Sequence, residues 1–184
     1  MQTTILIHLA TGFEETEAVT IIDVLRRANL DAITVSLTGT LKVTGAHNIS
    51  IEADLLYDEA DYTHAKMIIL PGGMPGTTNL MNHVGLVGQL KNFHQEQKWI
   101  AAICAAPMIL GSMDFLQNRK AVCYPGFESY LTGASVVNEP FIVDGNIVTG
   151  KSPGTAMAFS LEIVRLLKGE QLAADVRVGL VIQG

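Results

Sequence analysis

Positive charge is scarce in this sequence. Twelve Lys and Arg stand against eighteen Asp and Glu, which gives a net charge of −6, and charged residues make up only 16% of the 184 positions, where about 25% is usual. The sequence has no block of like charges of the kind that marks a nucleic-acid-binding tail. Because nucleic acids and anionic membrane surfaces select clustered positive charge, we expect neither to be the main partner.

Cysteine and long apolar runs are scarce as well. The two cysteines, Cys104 and Cys123, are too few for a disulfide framework. The most apolar run covers 13 residues, 99–111, whereas a helix that spans a bilayer needs about 20. Residues 1–4 carry none of the positive charge that begins a signal peptide. These absences predict a soluble, cytoplasmic protein in a reducing compartment.

Cofactor motifs are also missing. The sequence contains neither a P-loop nor a G-x-G-x-x-G turn, the two glycine-rich patterns that hold phosphate groups. Its histidines do not have the spacing of metal ligands; they are His8, His47, His64, His83 and His94. We therefore expect no cofactor and no metal.

Short apolar runs alternate with segments of helical spacing, and 48% of the residues are hydrophobic. This alternation predicts an α/β domain with a largely parallel sheet, and without a linker or repeat we expect a single domain over 1–184. The predicted strands are 5–10, 32–37, 66–70 and 99–103, with an antiparallel excursion over 41–51 around Gly45 and a hairpin of 141–143 with 146–148 around Asp144-Gly145. The predicted helices are 14–28, 84–96, 105–113 and a last one from about 153 to Gly169.

Reactive residue types follow three of these strands. Glu14, Glu15 and Glu17 come after the first strand, Gly72-Gly73 after the strand 66–70, and Cys104 after the strand 99–103. Because the carboxyl ends of parallel strands share one edge of a sheet, an acid, two bare backbone amides and a thiol are expected to converge if the strands are neighbours.

Cys104 lies where a strand runs directly into a helix through small alanines. Such an elbow resembles the turn that presents the serine of G-x-S-x-G hydrolases, and a helix N-terminus favours the thiolate. The alternative is that Cys104 is a small buried hydrophobe, as most free cysteines are. Cys123 has no such context and is interpreted as structural.

The glycine pair and the acid also have two interpretations each. Gly72-Gly73 forms either a plain turn or a site whose amides hold an oxyanion. Glu17 is either a solvated residue favoured by the helix dipole or, among the three carboxylates of that turn, one that points inward.

Four motifs together resemble the ThiJ/PfpI superfamily, and more narrowly its branch with the parkinsonism-associated deglycase and its bacterial relatives. They are G-F-E-E-T-E-A at 12–18, I-L-P-G-G at 69–73, A-A-I-C-A-A-P at 101–107 and S-P-G-T at 152–155. The resemblance implies a flavodoxin-like (class I glutamine amidotransferase-like) sandwich with helices on both faces of the sheet, and a homodimer.

At the matched positions the resemblance implies Cys104 as the reactive thiol and Glu17 as the acid hydrogen-bonded to it. It also implies an oxyanion pocket formed by the amides of Gly73 and Ala105. A protonated Glu17, its pKa raised by burial, would lower the pKa of Cys104.

The sequence departs from the superfamily pattern at two positions. Ala105 follows the cysteine where the protease-like and amidotransferase-like branches have His, so Cys-His catalysis is not expected. Tyr124 precedes Pro125 where the deglycase branch often has His. A phenol with a pKa near 10 is a poor base at neutral pH, although it can orient a substrate by hydrogen bonding.

Two functions follow from these residues and the resemblance. The first is a cofactor-free glyoxalase or deglycase in which Cys104 and Glu17 act on a small reactive carbonyl substrate, such as methylglyoxal or another α-oxoaldehyde, or on its early adducts. The second is a stress-protective redox sensor with chaperone-like character, whose Cys104 is oxidised to sulfinic acid. A structural dimer module with an inert thiol is the remaining alternative.

Overall fold

The computed structural model of the protein describes residues 3–182. Met1 and Gln2, on which the expectation about a signal peptide partly depends, lie outside the described residues. In chain order the elements are β1 (Thr4–Leu9), α1 (Glu15–Arg27), β2 (Asp31–Ser36), β3 (Lys42–Thr44), β4 (Ser50–Glu52), β5 (Leu55–Leu56), β6 (Met67–Leu70), α2 (Gly76–Asn82), α3 (Val84–Gln95), β7 (Trp99–Ile103), α4 (Pro107–Ser112), β8 (Lys120–Ala121), β9 (Ser135–Val136), β10 (Phe141–Asp144), β11 (Ile147–Gly150), α5 (Ala156–Lys168) and α6 (Glu170–Gly179).

The centre of the fold is a seven-stranded sheet in the order β10-β11-β7-β6-β1-β2-β5. Its strands pair in parallel, apart from the antiparallel pair β10–β11. The strands β1, β6 and β7 are neighbours: Ile7 is paired with Ile69, and Ile69 with Ala101. The three strand ends singled out in the sequence therefore meet at one edge, as predicted.

Helices cover both faces of the sheet. Ile5, Ile7 and Leu9 of β1 pack in one core with α1, α5 and α6, whereas Leu6 and Ala10 pack in a second core with α2, α3 and α4. This division follows from the strand, whose successive side chains point to opposite faces. The mostly parallel sheet between two helical layers confirms the predicted flavodoxin-like fold class. None of the helices in residues 3–182 has the length and apolar character needed to cross a membrane.

The excursion over 41–51 is confirmed as the antiparallel pair β3–β4. The hairpin near the end of the chain is confirmed too, but its turn lies one residue later than predicted. Asp144 pairs with Ile147, so the two turn residues are Gly145 and Asn146. Gly145 has φ +60°, which fits a turn with glycine first, the type II′ pattern.

Two helices differ in their starting points from the prediction. α4 begins at Pro107, two residues late, because the turn before it is closed by hydrogen bonds between residues three apart, from the Met108 N–H to the Ala105 carbonyl and from the Ile109 N–H to the Ala106 carbonyl. α5 begins at Ala156, since residues 153–155 form a separate 3₁₀ turn. The helices α2 and α6 were not predicted: α2 is a short segment that opens Gly-Thr-Thr, and α6 resumes directly after Gly169.

Candidate active site

Cys104 occupies a sharp turn between β7 and α4. Its backbone has φ +66°, a left-handed conformation that a residue with a Cβ adopts only at a cost. The turn is tied on both sides, because the Cys104 N–H donates to the Gly150 carbonyl at 2.9 Å and the Cys104 carbonyl accepts from the Tyr124 N–H at 2.8 Å. The side chain is 8% exposed. The elbow predicted from the small residues around Cys104 is thus present.

Glu17 projects inward from the first turn of α1. It is completely buried, and its Oε2 accepts a hydrogen bond from the Gly72 N–H at 2.8 Å. Its Oε1 has no hydrogen-bond partner among residues 3–182, and the Cys104 thiol lies close enough to influence the pKa of the carboxyl. Of the two interpretations of Glu17, the inward-pointing one describes the structure.

Two backbone amides converge on the sulfur. The N–H groups of Ala105 and Gly73 lower the pKa of the Cys104 thiol; the resemblance implied these two amides as the oxyanion pocket. Gly73 has φ +91°, and the backbone of residues 12–14 occupies the space a Cβ would need there. A residue with a side chain would be strained and would push this amide out of place.

Gly72 packs against both the acid and the cysteine. A Cβ on Gly72 would lie 2.7 Å from the Cys104 Cβ, 2.9 Å from the Ile103 carbonyl oxygen and 3.0 Å from the Glu17 Oε2. The Gly72 amide donates to Glu17 and not to the sulfur. The structure therefore places Gly72 as the residue that holds the carboxyl, while Gly73 and Ala105 face the thiol.

The carboxyl and the thiol affect each other's ionisation. Burial raises the pKa of Glu17 to about 7, against the opposing hydrogen bonds from Gly72 and Cys104. Burial, followed by the negative charge of Glu17, raises the pKa of the Cys104 thiol, and the amides of Ala105 and Gly73 lower it. The expectation that Glu17 lowers the Cys104 pKa therefore applies only while Glu17 keeps its proton. Glu17 therefore changes between its neutral and its ionised form around neutral pH, and the thiolate is favoured while Glu17 is protonated.

Tyr124 and Cys123, the remaining residues considered in the sequence analysis, occupy different environments. Tyr124 is joined to Cys104 through its backbone, but its side chain is 44% exposed. Cys123 is buried in the core under α2, α3 and α4. Burial raises its pKa to about 11, as expected for a structural cysteine without an activating partner.

A group of charged residues beside the site was missed by the sequence analysis. Glu15 is buried, and its carboxylate accepts hydrogen bonds from the His47 backbone N–H at 2.6 Å and the His47 Nδ1 at 2.8 Å. Glu14 Oε2 lies 3.5 Å from the same Nδ1. Their ligand atoms lie within 4.8 Å of one another, so the group has the composition of a small cation site. Sequence spacing gave no sign of it, because the β3–β4 turn brings His47 to α1 from a distant position.

The loops that carry these residues are locked together. The Glu14 N–H donates to the Gly72 carbonyl at 2.9 Å, and the Gly76 N–H donates to the Gly12 carbonyl at 3.0 Å. Neither Gly73 nor Gly76 leaves room for a Cβ against residues 12–14. The loop after β1 and the loop after β6 therefore behave as one unit.

These features define an α/β protein of the flavodoxin-like class whose centre is a buried cysteine at a strand-to-helix elbow. A carboxylic acid and two backbone amides surround the cysteine, which is an arrangement suited to nucleophilic attack with stabilisation of an oxyanion. The model of the DJ-1/PfpI family matches residues 3–166, and the chain belongs to this family. The resemblance carried by the four sequence motifs is thereby confirmed.

Similar proteins come from distant organisms. Protein DJ-1 homolog B of Arabidopsis thaliana is 37% identical over 168 residues, which cover 91% of this chain but 38% of that protein. The chain thus spans about two fifths of the length of this plant relative. A deglycase of Pyrococcus abyssi is 31% identical over 166 residues, covering 89% of this chain and 99% of that protein. The solved structure of oxidised DJ-1 from Toxoplasma gondii superposes with a TM-score of 0.94 at 32% identity, covering 99% of this chain and 100% of that one.

Proposed function

We propose that the protein is a stress-protective, cysteine-dependent enzyme that converts α-oxoaldehydes such as methylglyoxal, free or as early adducts, into hydroxy acids without a cofactor. Cys104 is the nucleophile and Glu17 moves the protons. The observation that carries this proposal is the placement of a buried acid, Glu17 with a pKa of about 7, beside the buried Cys104 thiol. An acid that titrates near the working pH can both give and take a proton.

In the first step the Cys104 thiolate attacks the aldehyde carbon of methylglyoxal and forms a hemithioacetal. The carbonyl oxygen becomes an alkoxide, which the amides of Gly73 and Ala105 are placed to stabilise and which takes the proton of Glu17. The Glu17 carboxylate is thereby freed to act as a base.

In the second step Glu17 removes the hydrogen from the former aldehyde carbon and returns it to the neighbouring carbon through an enediol, while the hydroxyl proton moves from the oxygen of the first carbon to the oxygen of the second. The product is a thioester of lactate on Cys104. Water then hydrolyses the thioester, releasing lactate and restoring the thiol. The net reaction adds one water to methylglyoxal, so no external oxidant or reductant is needed.

Two further residues have supporting roles in this proposal. Gly72 holds the Glu17 carboxyl through its amide, and its lack of a side chain leaves room for both Glu17 and Cys104 beside it. Tyr124, with its exposed phenol next to the Cys104 turn, orients the substrate by hydrogen bonding. The similarity to a protein named a deglycase over 99% of that protein's length supports the substrate class.

The test is conversion of methylglyoxal to lactate in the absence of glutathione. Wild type, Cys104→Ala and Glu17→Gln are compared, each checked for folding by circular dichroism. Cys123→Ala is the matched control, since it removes the other buried cysteine and leaves the site intact. We expect turnover in the wild type and the control and none in the two site variants. Equal turnover in wild type and Cys104→Ala would refute the proposal.

Redox sensing is the second candidate, and the similarity to the oxidised form of Toxoplasma gondii DJ-1 favours it. Here peroxide oxidises the Cys104 thiolate to sulfenic acid, and a second peroxide oxidises that to sulfinic acid. Mass spectrometry after peroxide treatment should then find two added oxygens on Cys104 and none on Cys123. Oxygen on both cysteines at equal rates would count against a sensor.

We also infer a cytoplasmic homodimer, as the family resemblance implies. Light scattering on the eluate of a size-exclusion column tests the dimer directly. A mass of one chain, 19.8 kDa, across the working concentration range would exclude it.

A further inference from the structure

Three aromatic residues lie along the segment that is tied to the Cys104 turn. They are Tyr124, Phe127 and Tyr130, and we call them the aromatic strip. The strip starts beside the cysteine, since the Tyr124 N–H donates to the Cys104 carbonyl at 2.8 Å. Only Tyr124 has a role in the proposed reaction, so the other two aromatic residues need a separate explanation.

Two consecutive turns fix the order of these residues. The Phe127 N–H donates to the Tyr124 carbonyl at 3.1 Å, and the Tyr130 N–H donates to the Phe127 carbonyl at 3.0 Å. The first turn has Pro125 second and Gly126 third, with φ +96° at the glycine, which is the type II pattern. The rings of Phe127 and Tyr130 have their centres 5.9 Å apart. The backbone therefore sets the three residues one after another, leading away from Cys104.

The two ends of the strip are open to solvent, whereas its middle is anchored. Tyr124 is 44% exposed and Tyr130 is 51% exposed. Phe127 is partly buried and packs against the core under α2, α3 and α4. An exposed tyrosine adds little to a core, but it offers a partner a rigid ring and a hydroxyl at a small cost in conformational entropy. Both tyrosines are therefore available to a molecule that approaches Cys104.

Along the segment that carries the strip, the charge is negative only. Residues 121–140 include Glu128 and Glu139 but no Lys, Arg or His. Glu128 lies within the strip, and its Oε2 accepts a hydrogen bond from the Gly126 N–H at 2.8 Å, which holds the carboxylate over the first turn. Aromatic rings and a carboxylate both attract Lys and Arg. Phosphate groups would be repelled, so the strip does not suit a nucleic acid.

We propose that the aromatic strip is a peptide-binding subsite, which holds an extended peptide containing Lys or Arg so that a reactive group on the peptide reaches Cys104. Two turns, each with its end Cα atoms within about 7 Å, match about four residues of extended chain. The subsite therefore favours substrates attached to a cationic peptide over small free carbonyl compounds. The carbonyl chemistry rests on the proposed function, whereas binding of the peptide is independent of it.

Binding of the peptide is measured by alkylation of Cys104, which needs no turnover. The probes are three tetrapeptide amides with an iodoacetyl group on the N-terminus, which contain two Gly together with two Arg, two Ser or two Glu. Each rate constant is divided by that of iodoacetamide, so that changes in the thiolate fraction cancel in this rate ratio. Mass spectrometry follows the alkylation of Cys104 and separates it from that of Cys123.

In the wild type the rate ratio should be highest for the Arg probe and lowest for the Glu probe. Tyr130→Ser should lower the ratio of the Arg probe by about two- to five-fold, which corresponds to the loss of an exposed cation–π contact of about 0.5–1 kcal/mol. Glu128→Gln keeps an oxygen for the Gly126 N–H but removes the charge. It should therefore lower the ratio of the Arg probe more than that of the Ser probe.

Val84→Ser and Glu96→Gln are the matched controls. Val84 is 86% exposed, but it follows His83, whose ring contacts Tyr57. Tyr57 comes directly after β5, the edge strand four places from β7 in the sheet. Glu96 is exposed and precedes β7, at the opposite end of that strand from Cys104. Both variants should keep the wild-type ratios.

Equal ratios for the Arg and Ser probes in the wild type would overturn the peptide-binding subsite. An unchanged ratio of the Arg probe in Tyr130→Ser would overturn it as well, because the preference would then come from elsewhere in this acidic protein. An equal loss in Glu96→Gln and Glu128→Gln would show an effect of net charge and not of the strip.

If turnover is present, free methylglyoxal is compared with the early adduct of methylglyoxal on an Arg-containing tetrapeptide. Tyr130→Ser should lower kcat/KM for the adduct more than for free methylglyoxal. An unchanged preference together with a lowered alkylation ratio would refute the selection among substrates and leave the peptide-binding subsite standing. Absence of all turnover in the wild type would refute the proposed function instead, and the alkylation ratios would still test the subsite.

Discussion

The Glu17 carboxyl lies beside the Cys104 thiol in the buried interior, and its negative charge raises the pKa of that thiol. The acid comes from the first turn of α1 and the thiol from the end of β7. Because the charge of Glu17 raises the pKa of Cys104, a change at the carboxyl alters the ionisation of the thiol. The first two predictions follow from this coupling.

Replacing Glu17 by Gln should make the thiol more acidic. Gln keeps an oxygen for the Gly72 amide and offers an N–H to the sulfur, but it removes the charge that raises the Cys104 pKa. The rate of Cys104 alkylation by iodoacetamide, followed from about pH 6 to about pH 10, should rise at lower pH than in wild type. Glu96→Gln, at the far end of β7, is the control and should keep the wild-type profile. A profile for Glu17→Gln shifted to higher pH would contradict the coupling.

The same substitution should stabilise the protein at neutral and alkaline pH. Glu17 has a pKa of about 7 in the folded protein against an ordinary value of 4.5, so the unfolded chain releases this proton first as the pH rises. The wild type should therefore lose free energy of unfolding between about pH 4.5 and about pH 7, by on the order of 2–3 kcal/mol. Glu17→Gln should not show this loss.

Urea unfolding of both proteins over this pH range measures the difference. Burial lowers the pKa of His8 to about 3, so stability is also lost as the pH falls below about 6.5. That contribution is present in both proteins and cancels in the comparison. Parallel curves for wild type and Glu17→Gln would mean that Glu17 is ionised in the folded protein throughout.

Gly72→Ala should destabilise the folded protein and change the environment of Cys104. The added Cβ would meet the Cys104 Cβ at 2.7 Å and the Ile103 carbonyl oxygen at 2.9 Å, and neither can move without shifting the elbow. We expect the free energy of unfolding to fall by about 1–3 kcal/mol and the pH profile of Cys104 alkylation by iodoacetamide to change. Gly88→Ala in α3 is the control: nothing lies within 4 Å of its Cβ, and helix propensity should stabilise it by about 0.5–1 kcal/mol. Similar effects of the two changes would refute the steric argument.

The left-handed backbone at Cys104 predicts an unusual order of stability. With φ +66°, a residue bearing a Cβ is strained by about 1–2 kcal/mol, and glycine is not. Cys104→Gly should therefore be as stable as Cys104→Ala or more stable, although it removes a methyl group. Ala102→Gly, in the regular strand just before, should lose stability in the usual way. Thermal unfolding of the three variants checks the order, and a clearly less stable Cys104→Gly would argue against strain at the elbow.

Much of the fold could be predicted because it depends on local patterns. Strands such as 99–103 are apolar on both faces, and the helix that became α1 has an apolar stripe, so both can be found by periodicity. The convergence of Glu17, Gly73 and Cys104 followed from strand ends sharing an edge. The short α2 and the late start of α4 could not be found this way, because the first has little apolar pattern and the second depends on hydrogen bonds between residues three apart in the turn after Cys104.

The features of the site that the sequence analysis did not predict depend on contacts between segments that are far apart in the sequence. Nothing in the sequence around His47 signals that the β3–β4 turn folds back onto α1. The Gly72 amide acts on Glu17 and the Gly73 amide on Cys104 because the two N–H groups point in different directions. The sequence cannot distinguish the two residues, since neither has a side chain. Such features become visible only when the loops are assembled.

The locking of the loop after β1 onto the loop after β6 has a consequence for protein engineering. Gly12, Gly73 and Gly76 pack backbone against backbone with no space for side chains, so neither loop can be redesigned while the other stays fixed. If only the turn that carries Cys104 were grafted into another parallel sheet, the cysteine would lack the acid Glu17 and the amide of Gly73, which follow other strands. The smallest transplantable module is the set of three strand ends, grafted together onto three adjacent strands.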